Sequence, residues 1–220
     1  MISVIWVEGL LAAGKSTFCQ KMAKKLGFLF LEEPVGGNFY LGEFYKNPKL
    51  YAFGMQMFLL HYRFAMKQVA SYSAMLGTKR GVILDRSVAG DRVFAKLHHD
   101  CSNISDLDWR CYQYAYEVTA RTIQPPTLLI YLDVQPETAY RRMKSRKRKA
   151  ESEVPLRYLK RLHDGYEELL SELKRGLVPW SHSVEVTRIV WDRETLKKSE
   201  WDAVIATVQS MCRRSSLEKS

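Results

Sequence analysis

Cysteine is scarce and unpaired. Cys19, Cys101, Cys111 and Cys212 include no Cys-x-x-Cys pair, and all fall inside or at the edges of expected helices. They read as reduced thiols serving as small apolar residues, which excludes a disulfide-stapled fold. His98-His99-x-Cys101 has no second ligand pair at finger-like spacing, so no zinc site is expected there. No apolar run approaches the roughly 18 to 20 residues of a membrane span. The chain enters a strand pattern at once, Ile2-Ser3-Val4-Ile5-Trp6-Val7, with no basic n-region or Arg-rich transit segment. A cytoplasmic location without a membrane partner is therefore expected. No repeat or linker divides the 220 residues, and hydrophobic and charged shares of 46% and 26% exclude general disorder. A single domain over 1–220 follows, with a polar, frayed tail over 213–220.

Acidic residues are outnumbered, 24 against 34 basic, for a net charge of +10. The excess is local. Arg141-Arg142-Met143-Lys144-Ser145-Arg146-Lys147-Arg148-Lys149 holds seven basic residues, and the remainder carries only about +3. A local basic cluster calls for a local anion, with ATP phosphates and nucleic acid as the two candidates.

Runs rich in β-branched and aliphatic residues predict strands over 2–7, 28–32, 81–84, 127–132 and 184–190. Helical patterns occupy 15–26, 50–76, 106–123, 136–144, 155–174 and 195–213. Strands alternating with helices predict an α/β fold, a five-stranded, mainly parallel sheet covered on both faces.

The first strand runs into Gly9-Leu10-Leu11-Ala12-Ala13-Gly14-Lys15-Ser16-Thr17, which meets G-x-x-x-x-G-K-S/T at every defined position. Glycines let the chain curl so that successive N–H groups point at phosphate oxygens, and the following helix adds its positive end. Lys15 is expected to reach the β- and γ-phosphates and the Ser16 hydroxyl to ligate magnesium. The third strand ends Val82-Ile83-Leu84-Asp85-Arg86-Ser87. An acid there is the usual second partner of a phosphate loop, so Asp85 is expected to hold magnesium through water. Arg86 then lies where charge develops on the transferred phosphoryl group.

With these residues in place the chain resembles the deoxyribonucleoside kinases, the family of deoxycytidine, deoxyguanosine, deoxyadenosine and mitochondrial thymidine kinases. Four further segments carry the resemblance, in order from the first strand to about Leu173. They are Glu33-Pro34-Val35; Tyr45-Lys46-Asn47-Pro48 leading to Gln56 and Arg63; Asp85-Arg86-Ser87 leading to Asp91; and the basic stretch leading to Glu151 and Pro155-Leu156. The resemblance implies a P-loop kinase fold and transfer of the ATP γ-phosphate to the 5′-hydroxyl of a deoxynucleoside, for nucleotide salvage. It makes Glu33 the base that takes the hydroxyl proton and leaves Glu32 to local structure. Tyr45 and Glu151 match positions that bind the sugar 3′-hydroxyl. The Gln56 amide can pair with a base edge through one donor and one acceptor. Arg63 and Asp91 match the charged pair of the cytidine- and purine-directed members, whereas thymidine-preferring members are apolar there. Deoxycytidine or a purine deoxynucleoside is therefore expected over thymidine. Arg142, Arg146 and Arg148 fall on the arginines of a lid, about 142–153, that closes on the donor phosphates. A homodimer is implied by resemblance alone.

The chain also departs from the pattern. Asp85 stands where mammalian members mostly carry Glu. Gly36-Gly37-Asn38 shortens the connection after Glu33, and Trp191-Asp192-Arg193-Glu194 follows the last strand where relatives pack the donor base. Two rival readings fit less well. A nucleoside monophosphate kinase needs cations for the acceptor's phosphate, yet the acceptor side shows Glu33, Tyr45, Gln56 and Glu151, with Arg63 matched to Asp91. A nucleic-acid-binding protein would use the basic stretch as its patch. Beside a phosphate loop that stretch is better explained by ATP, so no nucleic-acid partner is expected.

Overall fold

The computed structural model describes residues 3–33, 38–77, 79–146, 148, 151, 154–192 and 198–217. Five strands form one fully parallel sheet: β1 (Ser3–Gly9), β2 (Leu29–Leu31), β3 (Gly81–Asp85), β4 (Leu128–Asp133) and β5 (Glu185–Val190). Their order across the sheet is β2-β3-β1-β4-β5. All seven residues of β1 are buried, as a strand covered on both faces must be. The register sets Val7 beside Asp85 and Gly9 beside Leu132, so the phosphate loop and the end of β3 emerge side by side. That carboxyl edge, where connections leave in opposite directions, is where such sheets bind ligands.

Eight helices cover the faces among the described residues: α1 (Lys15–Leu26), α2 (Leu41–Lys46), α3 (Pro48–Met75), α4 (Val88–Asp100), α5 (Asp106–Thr122), α6 (Pro136–Ser145), α7 (Leu156–Lys174) and α8 (Lys198–Leu217). None is long and apolar enough to cross a membrane. Local chemistry explains several boundaries. α1 stops at Gly27, whose φ of 69° is the left-handed cap that glycine adopts freely. α3 starts at Pro48, two residues before the apolar pattern, because proline is preorganised for a first turn and the Asn47 side chain accepts from the Leu50 amide at 3.3 Å. The Ser105 hydroxyl caps α5 by accepting from the Asp108 amide at 3.1 Å.

Two helices escaped the sequence pattern. α2 is too short to show a period. α4 carries valines at 88 and 93 and a glycine at 90, all weak helix formers. It forms because Ser87 caps it, accepting from the Ala89 amide at 3.1 Å. Gly90 is required by packing, since a Cβ there would lie 2.2 Å from the Glu8 carboxylate. At the other end of the chain, α8 continues through Leu217, with no Gly or Pro to stop it at Arg213. The expected helix start at 195 and residues 218–220 lie outside the described residues. The four cysteines are free.

Lys67, on α3, is 1% exposed and its ammonium donates to the Ser71 hydroxyl at 3.3 Å. Burial alone lowers its pKa to about 8. The unfolded chain, with an ordinary lysine, binds more protons between that value and the usual lysine value of 10.5. The resulting cost to stability is full below pH 8 and disappears as pH rises through that window. Lys67→Met is therefore expected to stabilise the protein by about 2 kcal/mol at pH 7. In urea melts the advantage should shrink steadily toward alkaline pH; a pH-independent difference would contradict this cause.

Candidate active site

The phosphate loop curls with Ala12 at φ 57° and Gly14 at φ 90°, both left-handed. Gly14 leads into α1, whose first turn has no capping side chain, so its N–H groups remain for an anion. A side chain at Gly14 would press on the Trp191 ring, 3.2 Å from its Nε1. Lys15 folds back over the loop and donates to the Leu10 carbonyl at 2.8 Å and the Gly9 carbonyl at 3.3 Å. Burial, and then the charge of Arg86, lower its pKa to about 8 despite nearby carboxylates.

Ser16 donates to Asp85 Oδ2 at 2.5 Å. The other oxygen, Oδ1, is buried and has no hydrogen-bond partner. A hydroxyl beside a carboxylate with a spare buried oxygen is a donor set suited to a hard divalent cation. Other potential ligands among the described residues meet protein groups or a cavity. His98 lines a cavity, His99 meets Asp106 at 2.9 Å, and Cys101 accepts from Arg161 at 2.9 Å. Asp133, His163 and Glu167 do gather, but Arg188 already sits 2.5 Å from Glu167 and 3.4 Å from Asp133.

Arg86 lies at the centre. Its φ of 68° is unusual for a side-chain-bearing residue and places it in the left-handed region. Its amide donates to the Val7 carbonyl at 3.0 Å, which ties the turn to β1. The guanidinium donates from Nε to Glu33 at 2.8 Å, and from one terminal nitrogen to Tyr166 at 3.0 Å and the Gly9 carbonyl at 3.3 Å. It also lies over the Phe94 ring, 4.6 Å from the centroid. Behind it, Tyr166 donates to Glu8 at 2.9 Å. The fully buried Glu8 accepts from the Ser87 amide at 2.8 Å, the Ser87 hydroxyl at 2.7 Å and the Gly90 amide at 3.2 Å. Burial opposes the charge on Arg86, but Tyr166, Glu33, Glu8 and Asp85 raise its pKa, so it stays cationic.

Glu33 follows β2 and meets Arg86 on one oxygen and Arg63 on the other. Burial disfavours its charge, yet Arg86, Arg63 and Lys15 together hold the carboxyl below the usual range. Arg63 also pairs with Asp91, which in turn accepts from the Tyr112 hydroxyl at 2.5 Å. Gln56 is fully buried, and both amide atoms lack partners.

Two cavities open along this edge. One, of about 340 Å³, is lined by Ala12, Lys15, Ser16, Asp85, Arg146 and Glu32 among others. The second, of about 120 Å³, is lined by Tyr45, Gln56, Arg63, Phe94, His98 and Tyr158 among others. They share Leu11, Glu33, Arg86, Arg148 and Glu151, so they meet at the Glu33–Arg86 pair. Burial, and then Glu151, push the Tyr45 phenol up to about 12. Arg146 holds Glu151 through Nε at 2.9 Å and a terminal nitrogen, and Arg148 lies 3.9 Å from the same carboxylate. Arg142 is placed differently from Arg146 and Arg148. It lies outside both cavity linings and donates to the Trp191 carbonyl at 2.9 Å. Pro34–Gly37, Lys147, Lys149 and Arg193-Glu194 lie outside the described residues.

Sequence reasoning missed Glu8, Tyr166, Phe94 and His98. Glu8 had a signal, an acid in a strand whose other positions are apolar or small. Tyr166 had none, since an aromatic on an amphipathic helix reads as core.

A parallel sheet with a phosphate loop at its carboxyl edge, and a cleft running from that loop past a carboxylate–arginine pair, define a P-loop kinase fold. A sequence model of the family described as deoxynucleoside kinase matches residues 5–213. The chain is 35% identical to a deoxyadenosine kinase of Dictyostelium discoideum, across 82% of this chain and 74% of that one. It is 32% identical to a deoxyadenosine/deoxycytidine kinase of Bacillus subtilis, across 77% of each. The solved structure of a deoxyadenosine kinase from M. mycoides with bound dCTP aligns at a TM-score of 0.76 with 27% identity, covering 94% of this chain and 99% of that one. The chain belongs to the deoxynucleoside kinase family.

Lys15 supplies a test of the phosphate end. A bound polyphosphate adds negative charge beside an ammonium whose pKa is about 8 in the free protein, so binding should raise that pKa. Near pH 8.5, calorimetry of ATP binding in buffers of different ionisation enthalpy should register net proton uptake, and affinity should weaken as pH rises further. Proton release, or none at all, would contradict the placement of Lys15 against phosphate.

Proposed function

We propose that the protein transfers the γ-phosphate of ATP to the 5′-hydroxyl of a deoxynucleoside, with Glu33 as base. One observation carries the proposal: the phosphate-loop cavity and the cavity lined by Tyr45 and Gln56 meet at Glu33 and Arg86. The triphosphate lies along Gly9–Thr17 and the nucleoside on the far side, so attack is in line across the pair.

Each side chain then has a task. The amides of the loop and of α1 hold the β- and γ-phosphates, with Lys15 turning from the loop carbonyls to the phosphate oxygens. Arg86 faces the charge that develops on the moving phosphoryl group and costs no reorganisation, because its partners already fix it. Arg146 and Arg148 neutralise charge from the lid side, whereas Arg142 holds the lid helix to the segment after β5. Glu33 aligns the hydroxyl and accepts its proton. It is a weak base, but a loose transition state asks little of the nucleophile, so an ionised, well-placed carboxylate suffices. Ser16 and Asp85 would hold magnesium, which supplies charge neutralisation between the phosphates when bound.

On the acceptor side, Tyr45 and Glu151 take the sugar 3′-hydroxyl, with Glu151 released from Arg146 as the lid closes on phosphate. The Gln56 amide pairs with the base edge, consistent with its two unpaired atoms. Asp91 accepts but cannot donate, and Arg63 donates but cannot accept, so the pair suits polar exocyclic groups rather than a thymine methyl. Deoxycytidine and purine deoxynucleosides are the proposed substrates, with salvage of DNA precursors as the role. Two copies are proposed to pair through the outward face of α5, where Leu107, Tyr114 and Val118 are exposed.

The decisive assay offers each of the four natural deoxynucleosides with ATP and magnesium and ranks kcat/KM. Thymidine is expected to be the poorest substrate. Glu33→Gln should keep ATP binding and lose about 100-fold or more in kcat. Near-normal turnover in that variant would reject Glu33 as the base.

A further inference from the structure

α4 turns one stripe toward the nucleoside end of the cleft. Phe94 and His98 are four residues apart, one turn, and both line the cavity. His98 is 2% exposed, and its Nε2 is buried with no hydrogen-bond partner. Its other ring nitrogen, Nδ1, lies 3.5 Å from the Asn103 side-chain amide. With Nδ1 accepting from that amide, the neutral ring carries its proton on Nε2. Burial lowers the ring's pKa to about 4, so it is neutral at physiological pH. A buried N–H without an acceptor is costly, and a cavity wall is where such a donor finds its partner in a ligand.

The surroundings say which part of the ligand that is. The imidazole packs edge-on against Phe44 at 5.0 Å and beside Tyr158 at 5.9 Å. Phe44 precedes Tyr45, and the Tyr158 phenol lies close enough to Tyr45 to sense its charge. Tyr45 in turn senses Glu151. His98 therefore belongs to the Tyr45–Glu151 end of the cavity. A secondary hydroxyl has one proton to donate and two lone pairs. Glu151 can only accept, which leaves both lone pairs to be filled by donors, and Tyr45 supplies one.

We propose that His98 is a further sugar-binding residue, its Nε2–H donating to the 3′-oxygen of the deoxynucleoside. This rests on the reading of the cleft given above. The 3′-hydroxyl would then have every hydrogen-bonding position filled, by Glu151, Tyr45 and His98.

The test crosses the residue with the group it is proposed to touch. kcat/KM is measured for the wild type, His98→Leu and His98→Gln on a preferred 2′-deoxynucleoside and on its 2′,3′-dideoxy counterpart. His98→Leu should lose about tenfold on the deoxynucleoside, mainly in KM, and change little on the 3′-deoxy analogue. His98→Gln, which restores an N–H, should recover part of the loss. Equal losses on both substrates, or no loss on either, would overturn the proposal and leave His98 a packing residue. A wild type that phosphorylates no deoxynucleoside would overturn the reading of the cleft itself, a separate and recognisable failure. Should the leucine variant not fold, nitrogen-15 NMR of the wild-type imidazole decides. The Nε2 resonance should shift with the deoxynucleoside and not with the 3′-deoxy analogue, and identical shifts would count against the contact.

Discussion

The whole site depends on the way Arg86 is held. Its backbone turns left-handed at the end of β3, and its guanidinium touches Glu33, Tyr166, the Gly9 carbonyl and the face of Phe94. Those partners come from the loop after β2, from α7, from the phosphate loop and from α4. Through one side chain the sheet edge, two helices and the loop share a position. Buried ion pairs are weak sources of stability, because desolvation offsets most of their attraction. What Arg86 and its partners supply is geometry. A cation already fixed at the point where two cavities meet needs no rearrangement when charge moves past it.

Contacts behind Arg86 keep that arrangement in place. Glu8 caps the start of α4 and accepts from Tyr166, so the residue before the phosphate loop also sets the orientation of the helix that carries Asp91, Phe94 and His98. Gly90 leaves room for that carboxylate. On the opposite wall Arg63 joins Glu33 to Asp91, which links the loop after β2 to α4. Arg146 and Arg148 meanwhile sit on Glu151. Glu151 is the group proposed for the sugar, and a triphosphate would compete with it for their charge.

Much of this was legible in the sequence, for physical reasons that differ by element. The phosphate loop is a contiguous stretch whose backbone demands glycine and whose chemistry demands lysine and a hydroxyl, so it reads directly. The strands read because a doubly covered parallel sheet needs unbroken apolar runs. Glu33, Tyr45, Gln56, Arg63, Asp91 and Glu151 became visible only through several segments in the right order, since each alone is an ordinary residue. α4 was hidden by Val88, Gly90 and Val93, where tertiary contact with Glu8 overrides poor helix propensity. Tyr166 was hidden because a buried tyrosine on an amphipathic helix has no distinctive neighbours in sequence, and His98 because His98-His99-x-Cys101 reads only as an incomplete metal pattern. Arg142 matched a lid position, but its place on α6 directs it to the Trp191 carbonyl, a contact no spacing rule anticipates.

The proposed chemistry places a single carboxylate between a triphosphate and a sugar. The most direct measurement is a crystal structure with a bisubstrate analogue in which adenosine is joined through a phosphate chain to the 5′-oxygen of a deoxynucleoside. The phosphate chain is expected over residues 9–17, with a Glu33 oxygen within hydrogen-bonding reach of the 5′-oxygen and Arg86 still bound to Glu33. An analogue bound with its deoxynucleoside half outside the Tyr45–Gln56 cavity, or with Glu33 turned away from the 5′-oxygen, would contradict it.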